Sequence, residues 1–327
     1  MEPGADEVLF DAPEHFRIYK SGRIDRFHRP VLVAAGVGDD ASGVASKDVI
    51  LDADTGLTVR LFLPKLQLQE PSSKKKLPVL VYFHGGGFIL ESAKSATYHN
   101  YLTSLAAAAG VLAVSVDYRL APEHRLPAAY DDCWAALRWA AASARDADGD
   151  DDWLAAHGDA SRVFVAGDSA GGNIVHNVLV RASSSAEYAP PRIEGAVMLH
   201  PFFGGSAAIE GEPEHAVVIT EKVWAFACPD AAGGADDPRI NPTAPGAAAV
   251  AALERLGCER LLVCAAGKDW LVARDRAYFD ALAASAWPGS AAWLETEGEE
   301  HVFFLLKPEC DGAKALMDRV VAFIAGA

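Results

Sequence analysis

The sequence predicts an α/β fold with a mostly parallel central sheet and helices on both faces. Three observations predict it. From Pro78 onward, short apolar runs alternate with stretches of helical length. The runs are continuously apolar rather than alternating, as strands covered on both faces should be. The links between them are long enough for the crossovers that parallel strands need. Strand–helix alternation of this kind argues for a layered α/β architecture. With 327 residues, 51% hydrophobic and 23% charged, the chain can bury a large core and is not disordered.

The elements follow in order. The first fifty residues show no strong period. Ser46–Leu51 and Thr58–Leu63 read as strands joined by the turn residues Asp52–Gly56, an antiparallel N-terminal hairpin. Lys65–Lys76, with Pro71, two serines and the run Lys74–Lys76, reads as a solvated loop. The later strands are Pro78–Phe83, Val111–Val116, Arg162–Ala166, Ala196–Leu199, Leu261–Ala265 and Ala291–Leu294. Helices are expected at Thr97–Ala109, Asp131–Ala144, Gly172–Ser183, Val272–Ala286 and Ala313–Ala325, with Asp146–Asp152 as an exposed junction. The stretch Pro201–Pro245 breaks the rhythm and is rich in Gly, Pro and aromatic residues. An insertion of that kind covers strand ends more often than it forms a separate domain. We therefore expect one domain over 1–327, with 1–45 and 201–236 as cap segments.

Composition narrows the function. Lys+Arg is 29 and Asp+Glu is 45, so the formal charge is −16. That field repels phosphate backbones, which argues against a nucleic-acid partner. The five cysteines, Cys133, Cys228, Cys258, Cys264 and Cys310, are irregularly spaced and include no C-x-x-C. Neither a disulfide scaffold nor a structural zinc site is expected, and no metal or cofactor is called for. Met1–Phe16 is acidic and lacks an apolar run, unlike a secretory signal. No stretch is apolar and long enough to cross a membrane. The expected location is the cytoplasm, with access to the nucleus. Oligomeric state is not legible.

The strongest chemical signal is Gly167-Asp168-Ser169-Ala170-Gly171, a G-x-S-x-G between a predicted strand and a predicted helix. That context places a serine on a sharp turn, with flanking glycines that admit close backbone approach. The helix start behind it favours developing negative charge. A capped glycine turn is the bland alternative, and the strand–helix context argues against it. His84-Gly85-Gly86-Gly87-Phe88 directly follows another strand. Gly86 and Gly87, with the N–H of Ala170, can converge on one oxyanion. A phosphate loop would need G-x-x-x-x-G-K-[ST], which is absent there. His84 is assigned to holding the glycine loop.

A serine nucleophile needs a base, and the base needs an orienting carboxylate. Downstream of Ser169 stand His176, His200, His215 and His301. His176 lies within the following helix, His200 precedes any suitable acid, and His215 is in the insertion. His301 lies just after the last predicted strand and is the best base by position. Asp269 follows the strand Leu261–Ala265 on a loop at its carboxyl end, where α/β sheets place their sites. Its rivals are Asp275, one turn into the following helix, and Glu299 and Glu300, too close to His301 to support its ring.

Together, His84–Phe88, Asp117–Glu123 and Gly167–Asn173 resemble the hormone-sensitive-lipase branch of the α/β-hydrolases. Asp6-Glu7-Val8, Phe16–Tyr19, Asp25-Arg26-Phe27, Asp237-Pro238-Arg239 and Gly298–Phe303 resemble the plant carboxylesterases of that branch. The resemblance spans essentially the whole chain. It implies an α/β-hydrolase fold and a serine esterase acting on a small-molecule ester through an acyl-enzyme on Ser169, without metal or cofactor. It also implies that the N-terminal segment and part of 201–236 cover the acyl pocket. Two non-hydrolytic relatives remain as alternatives. The gibberellin receptor resembles this group but has lost the triad histidine, whereas His301 is present here. Some hydroxyisoflavanone-type dehydratases carry Thr at the nucleophile position, whereas this chain has Ser169. Asp117–Glu123 itself reads as an ion-paired loop supporting the glycine loop.

Overall fold

The structure is a computed structural model, and it describes residues 6–36, 43–64, 76–146, 149–184 and 191–326. The chain opens with β1 (Val8–Ala12), β2 (Phe16–Tyr19) and β3 (Ile24–Arg26), a small antiparallel sheet. This sheet was not expected from the sequence. Its signal is only Phe16 and Ile18 buried on either side of Arg17, too short an alternation to stand out.

The expected hairpin is β4 (Val44–Asp52) and β5 (Leu57–Pro64), paired antiparallel. Asp52 shapes its turn by accepting the N–H groups of Asp54 and Thr55. The loop expected at Lys65–Lys76 lies outside the described residues except for Lys76. Beyond it run β6 (Leu77–Phe83), α1 (Ala96–Ala109), β7 (Leu112–Asp117) and α2 (Ala128–Arg145). Ser95 caps α1 at its start, and Gly110, at φ +60°, ends it. The short α3 (Asp152–His157) is capped by Asp151, which accepts from Trp153 and Leu154. It leads into β8 (Gly158–Asp168), which starts four residues earlier than the apolar run alone suggested.

The rest of the chain comprises α4 (Ala170–Ser184), β9 (Ile193–Leu199), α5 (Glu214–Ala227), α6 (Ala247–Leu253) and β10 (Cys258–Ala266). It ends with α7 (Val272–Ala284), β11 (Ser290–Thr296), α8 (Phe303–Leu306) and α9 (Asp311–Ala325). Helix α5 falls inside the insertion.

Eight strands form the main sheet in the order β11–β10–β9–β8–β6–β7–β5–β4, parallel from β11 to β7 and antiparallel at β5 and β4. The pleat sends alternate side chains to opposite faces. On β6, Val79, Val81 and Phe83 join one core with Trp134 of α2, Ile174 of α4 and Tyr278 of α7. Leu80 and Tyr82 join the other with Leu102 of α1 and Val320 of α9. Each large apolar side chain so buried contributes roughly 1.5–3 kcal/mol. No helix among the described residues is long and apolar enough to cross a membrane. All five cysteines are free thiols, and four are buried as small apolar groups.

From β6 the chain moves to β7 on one side and then to β8 on the other. The gap between the carboxyl ends of β6 and β8 is thus the topological switch point, where open α/β sheets bind ligands. The glycine loop leaves one lip of that gap and the serine turn leaves the other.

Candidate active site

Ser169 sits at the turn from β8 to α4 with φ +52°, a left-handed conformation that strains any non-glycine residue. Surrounding contacts hold it there. Its N–H donates to Leu199 O at 2.9 Å, and its carbonyl accepts from Phe202 N at 2.8 Å and Asn173 N at 3.1 Å. The turn is possible only because its neighbours lack side chains. A Cβ on Gly171 would stand 1.9 Å from Phe83 O, and one on Gly167 would stand 2.5 Å from Gly171 O. Both lie below any real Cβ contact, so β6, β8 and α4 meet backbone to backbone.

The structure brings Ser169, Asp269 and His301 together. Nε2 of His301 lies 3.0 Å from Ser169 Oγ, and Nδ1 lies 2.6 Å from Asp269 Oδ2. The second carboxylate oxygen of Asp269 accepts from Leu271 N at 3.0 Å. Burial alone would raise the Asp269 carboxyl, but the bonds from His301 and the Leu271 N–H hold it below the ordinary carboxylate range. Asp269 is therefore the ionised acceptor, and His301 Nδ1 donates to it. That leaves the Nε2 lone pair facing the serine hydroxyl. The loops carrying the two residues are tied by Lys268 N to Glu299 O at 2.8 Å. Asp275, the rival acid, is fully buried in α7, and no hydrogen-bond partner for either carboxylate oxygen is found among the described residues.

Gly86 and Gly87 have φ +98° and +63°, left-handed values that suit glycine. Neither they nor Ala170 donate a backbone hydrogen bond among the described residues. Gly86 instead accepts, from Ile89 N and Leu90 N. His84 is buried, stacked on Tyr118 at 4.1 Å, and its Nδ1 donates to Gly85 O at 2.8 Å. Burial lowers its pKa, so it is a neutral strut that holds the loop. The Asp117–Glu123 segment is ion-paired as expected. Arg119 forks onto Asp132, and Glu123 receives Arg26 of β3. Arg26 also donates to Ile89 O, tying β3 to the end of the glycine loop.

The other histidines go elsewhere. His176 is buried against Tyr278, its Nδ1 3.1 Å from the phenol oxygen. His200 is fully buried beside the site and was not chosen from the sequence. Its Nδ1 accepts the N–H of Val302, and burial pulls its pKa down to about 3. His200, Asp269 and His301 each bring a potential metal-ligand atom within 4.8 Å of one another. Those atoms are already used, by Val302 N–H on His200 and by the His301–Asp269 bond, so the donor set does not suit a metal.

An aromatic wall stands beside the serine turn. Trp270 lies 6.1 Å from the His301 ring, Phe202 lies 6.2 Å from Trp270, and Phe88 lies 6.2 Å from Phe202. From α5, Val223 comes within 3.7 Å of where a Gly87 Cβ would be. Asn173 holds both ends of the segment that carries α5, donating to Phe202 O at 3.0 Å and Arg239 O at 2.7 Å. The sequence names Phe88 with the glycine loop, Phe202 among the aromatic residues of the insertion and Asn173 at the end of the serine motif, but it does not single out Trp270 or Val223.

Comparison with known proteins agrees with this fold. The family described as alpha/beta hydrolase fold matches residues 80–305, and the carboxylesterase family matches residues 31–123. Tuliposide A-converting enzyme 1 of Tulipa gesneriana is 47% identical over 98% of this chain and 79% of its own length. The 2-hydroxyisoflavanone dehydratase of Glycyrrhiza echinata is 41% identical over 97% of this chain and 96% of its own. Among solved structures, a hyperthermophilic esterase from the archaeon Pyrobaculum calidifontis is 26% identical, covers 85% of this chain and 84% of its own, and has a TM-score of 0.66.

One expectation is overturned. The tulip relatives are named chloroplastic or amyloplastic enzymes, which points to the plastid rather than the cytoplasm. The cytoplasmic expectation rests on the cysteine pattern and on the lack of a secretory signal and of a membrane-spanning stretch, none of which bears on plastid import. With the fold, the strand-end geometry and these relatives in agreement, the chain belongs to the α/β-hydrolase fold family, as an esterase-like member of its plant, hormone-sensitive-lipase-like branch.

Proposed function

We propose that the protein is a serine carboxylesterase that hydrolyses small-molecule esters through an acyl-enzyme on Ser169. The observation that carries this reading is His301, bonded through Nε2 to Ser169 and through Nδ1 to an ionised Asp269. His301 takes the serine proton as Oγ attacks the ester carbonyl, and Asp269 stabilises the imidazolium. The uncommitted N–H groups of Gly86, Gly87 and Ala170 receive the oxyanion. His301 then protonates the leaving alcohol, and water cleaves the acyl-enzyme by the reverse sequence. In this reading residues 1–327 are one domain, with 1–45 and 201–236 forming the cap that excludes water from the acyl pocket. A plastid location is favoured by the tulip relatives.

The 41% identical dehydratase supports a second reading, in which His301 serves as base for an elimination. A receptor role is disfavoured because His301 is present and bonded. The deciding experiment pairs p-nitrophenyl acetate turnover with intact-mass analysis after an organophosphate. Multiple turnovers and one stoichiometric adduct on Ser169 are expected. No turnover and no mass gain would overturn the esterase reading.

A further inference from the structure

We propose that Tyr98 is a positioning residue that sets the glycine loop against the serine turn. The proposal rests on the acyl-transfer reading above. Gly85 donates its N–H to the Tyr98 hydroxyl oxygen at 2.8 Å. That hydroxyl donates onward to Asp168 Oδ2 at 2.8 Å. Asp168 immediately precedes Ser169, and Gly85 immediately precedes Gly86. One phenol on α1 therefore bridges the two lips of the switch-point gap, between strands β6 and β8.

The bridge is tight. A Cβ at Gly85 would fall 2.4 Å from Asp168 Oδ2 and 3.0 Å from the Tyr98 oxygen. The other face of the same residue is fixed by Gly85 O accepting from His84 and, at 3.3 Å, from Tyr118. Those bonds hold the loop to its own strand and to the segment after β7. Among the described residues, only the Tyr98–Asp168 link runs by side-chain hydrogen bonds from the loop to the residue beside the nucleophile. All its members are buried, so water does not compete for these bonds.

Tyr82 provides an internal control. Its hydroxyl donates to the other oxygen of Asp168 at 2.8 Å and makes no bond to the glycine loop. Tyr82 and Tyr98 are both buried phenols, each donating one bond to the same carboxylate. They differ in what they accept, since Tyr98 alone receives Gly85 N–H. A purely structural role predicts the same outcome for both.

The N–H donors on the loop act on the transition state, and a displacement of about 1 Å costs on the order of 10²-fold in rate. Tyr98→Phe should lower kcat with p-nitrophenyl acetate by roughly 30- to 100-fold with KM within about twofold. The inhibition constant of phenylboronic acid, whose tetrahedral adduct places an oxygen in the same hole, should rise in parallel. Tyr82→Phe should lose similar thermal stability yet keep kcat within about threefold. Should Tyr98→Phe fail to fold, 3-fluorotyrosine at position 98 weakens the acceptor without changing its shape. It should lower kcat several-fold, and the same replacement at position 82 should not. Equal kcat in the two phenylalanine variants, or in the two fluorinated proteins, would overturn the proposal while an active, organophosphate-labelled parent leaves the esterase reading standing. An inactive, unlabelled parent would overturn both.

Discussion

Val302 donates its backbone N–H to Nδ1 of His200 at 2.9 Å, one residue past His301. Val302 holds φ +46°, and a β-branched residue rarely adopts that value. His200 is itself at φ +49°, stacked on Phe303, with its N–H on Cys264 O. The pair fixes the turn from which His301 reaches Ser169. Burial pulls His200 down to about 3, so it stays a neutral acceptor wherever the enzyme works. His200→Phe keeps an aromatic ring and removes the acceptor, leaving a partly buried N–H without its partner at a cost of about 1 kcal/mol. We expect kcat for an activated ester to fall by about tenfold with little change in KM. Unchanged kcat would show that the Val302 turn holds without His200.

Asp269→Asn should keep the fold and cut kcat by on the order of 10⁴. The amide leaves His301 without its ionised partner and allows the wrong tautomer to face Ser169. Asp275→Asn, six residues on, should leave kcat within a few-fold. Steady-state kinetics on the two purified variants decides between them, and a reversal of the two effects would reassign the acid.

Much of this arrangement is legible in the sequence, and the reason is local. Gly167–Gly171 and His84–Phe88 encode their turns through neighbouring residues, so spacing alone exposes them. Asp269 and His301 were legible because each lies on the loop that follows an apolar run that had to be a strand. Tyr98 and Arg274 were not, because their partners come close only in the folded chain. Tyr98 meets Asp168 across 70 residues only because β6 and β8 are neighbours. The small sheet β1–β3 escaped for a different reason. Its burial comes from packing onto the main core, not from a periodic run of its own.

Arg274 and Glu212 join α7 to the 201–236 segment through a buried fork, with Nε to Oε1 at 2.8 Å and Nη2 to Oε2 at 2.7 Å. Arg274 also donates to Ala207 O at 2.6 Å. Glu212→Ala leaves a buried guanidinium short of its anion, which costs about 3–5 kcal/mol. The Glu212→Leu/Arg274→Met double variant removes both charges and should recover most of that loss. Urea denaturation of the parent and both variants gives the comparison. A single-variant loss below about 1 kcal/mol would mean the fork is exposed to water in solution.

Gly171→Ala should abolish the site. The added Cβ would stand 1.9 Å from Phe83 O, and both atoms belong to rigid elements. Either α4 or the end of β6 must move, and the serine turn and glycine loop separate. Gly110→Ala is the contrast, with φ +60° but nothing within 4 Å. It carries only the left-handed backbone cost of about 1–2 kcal/mol. Soluble yield and activity should collapse in the first and persist in the second.

Asp275 makes stability depend on pH in a direction that can be worked out. It is fully buried, with neither carboxylate oxygen paired among the described residues. Burial, reinforced by the negative charge of Asp269, pushes its pKa well above the carboxylate range. The native state therefore keeps a proton that the unfolded chain releases near pH 4. Below that pH both states are protonated and the group is neutral to stability. As pH rises, the unfolded state gains by ionising, and the native state loses ground until Asp275 itself ionises. Asp275→Asn ionises in neither state. Its stability gain over the parent should be near zero at about pH 3 and should grow steadily from about pH 5 to pH 8. Denaturant melts across that range measure the difference directly. A gain that does not change with pH would mean that Asp275 ionises normally in the native state, through a partner or water that reaches it.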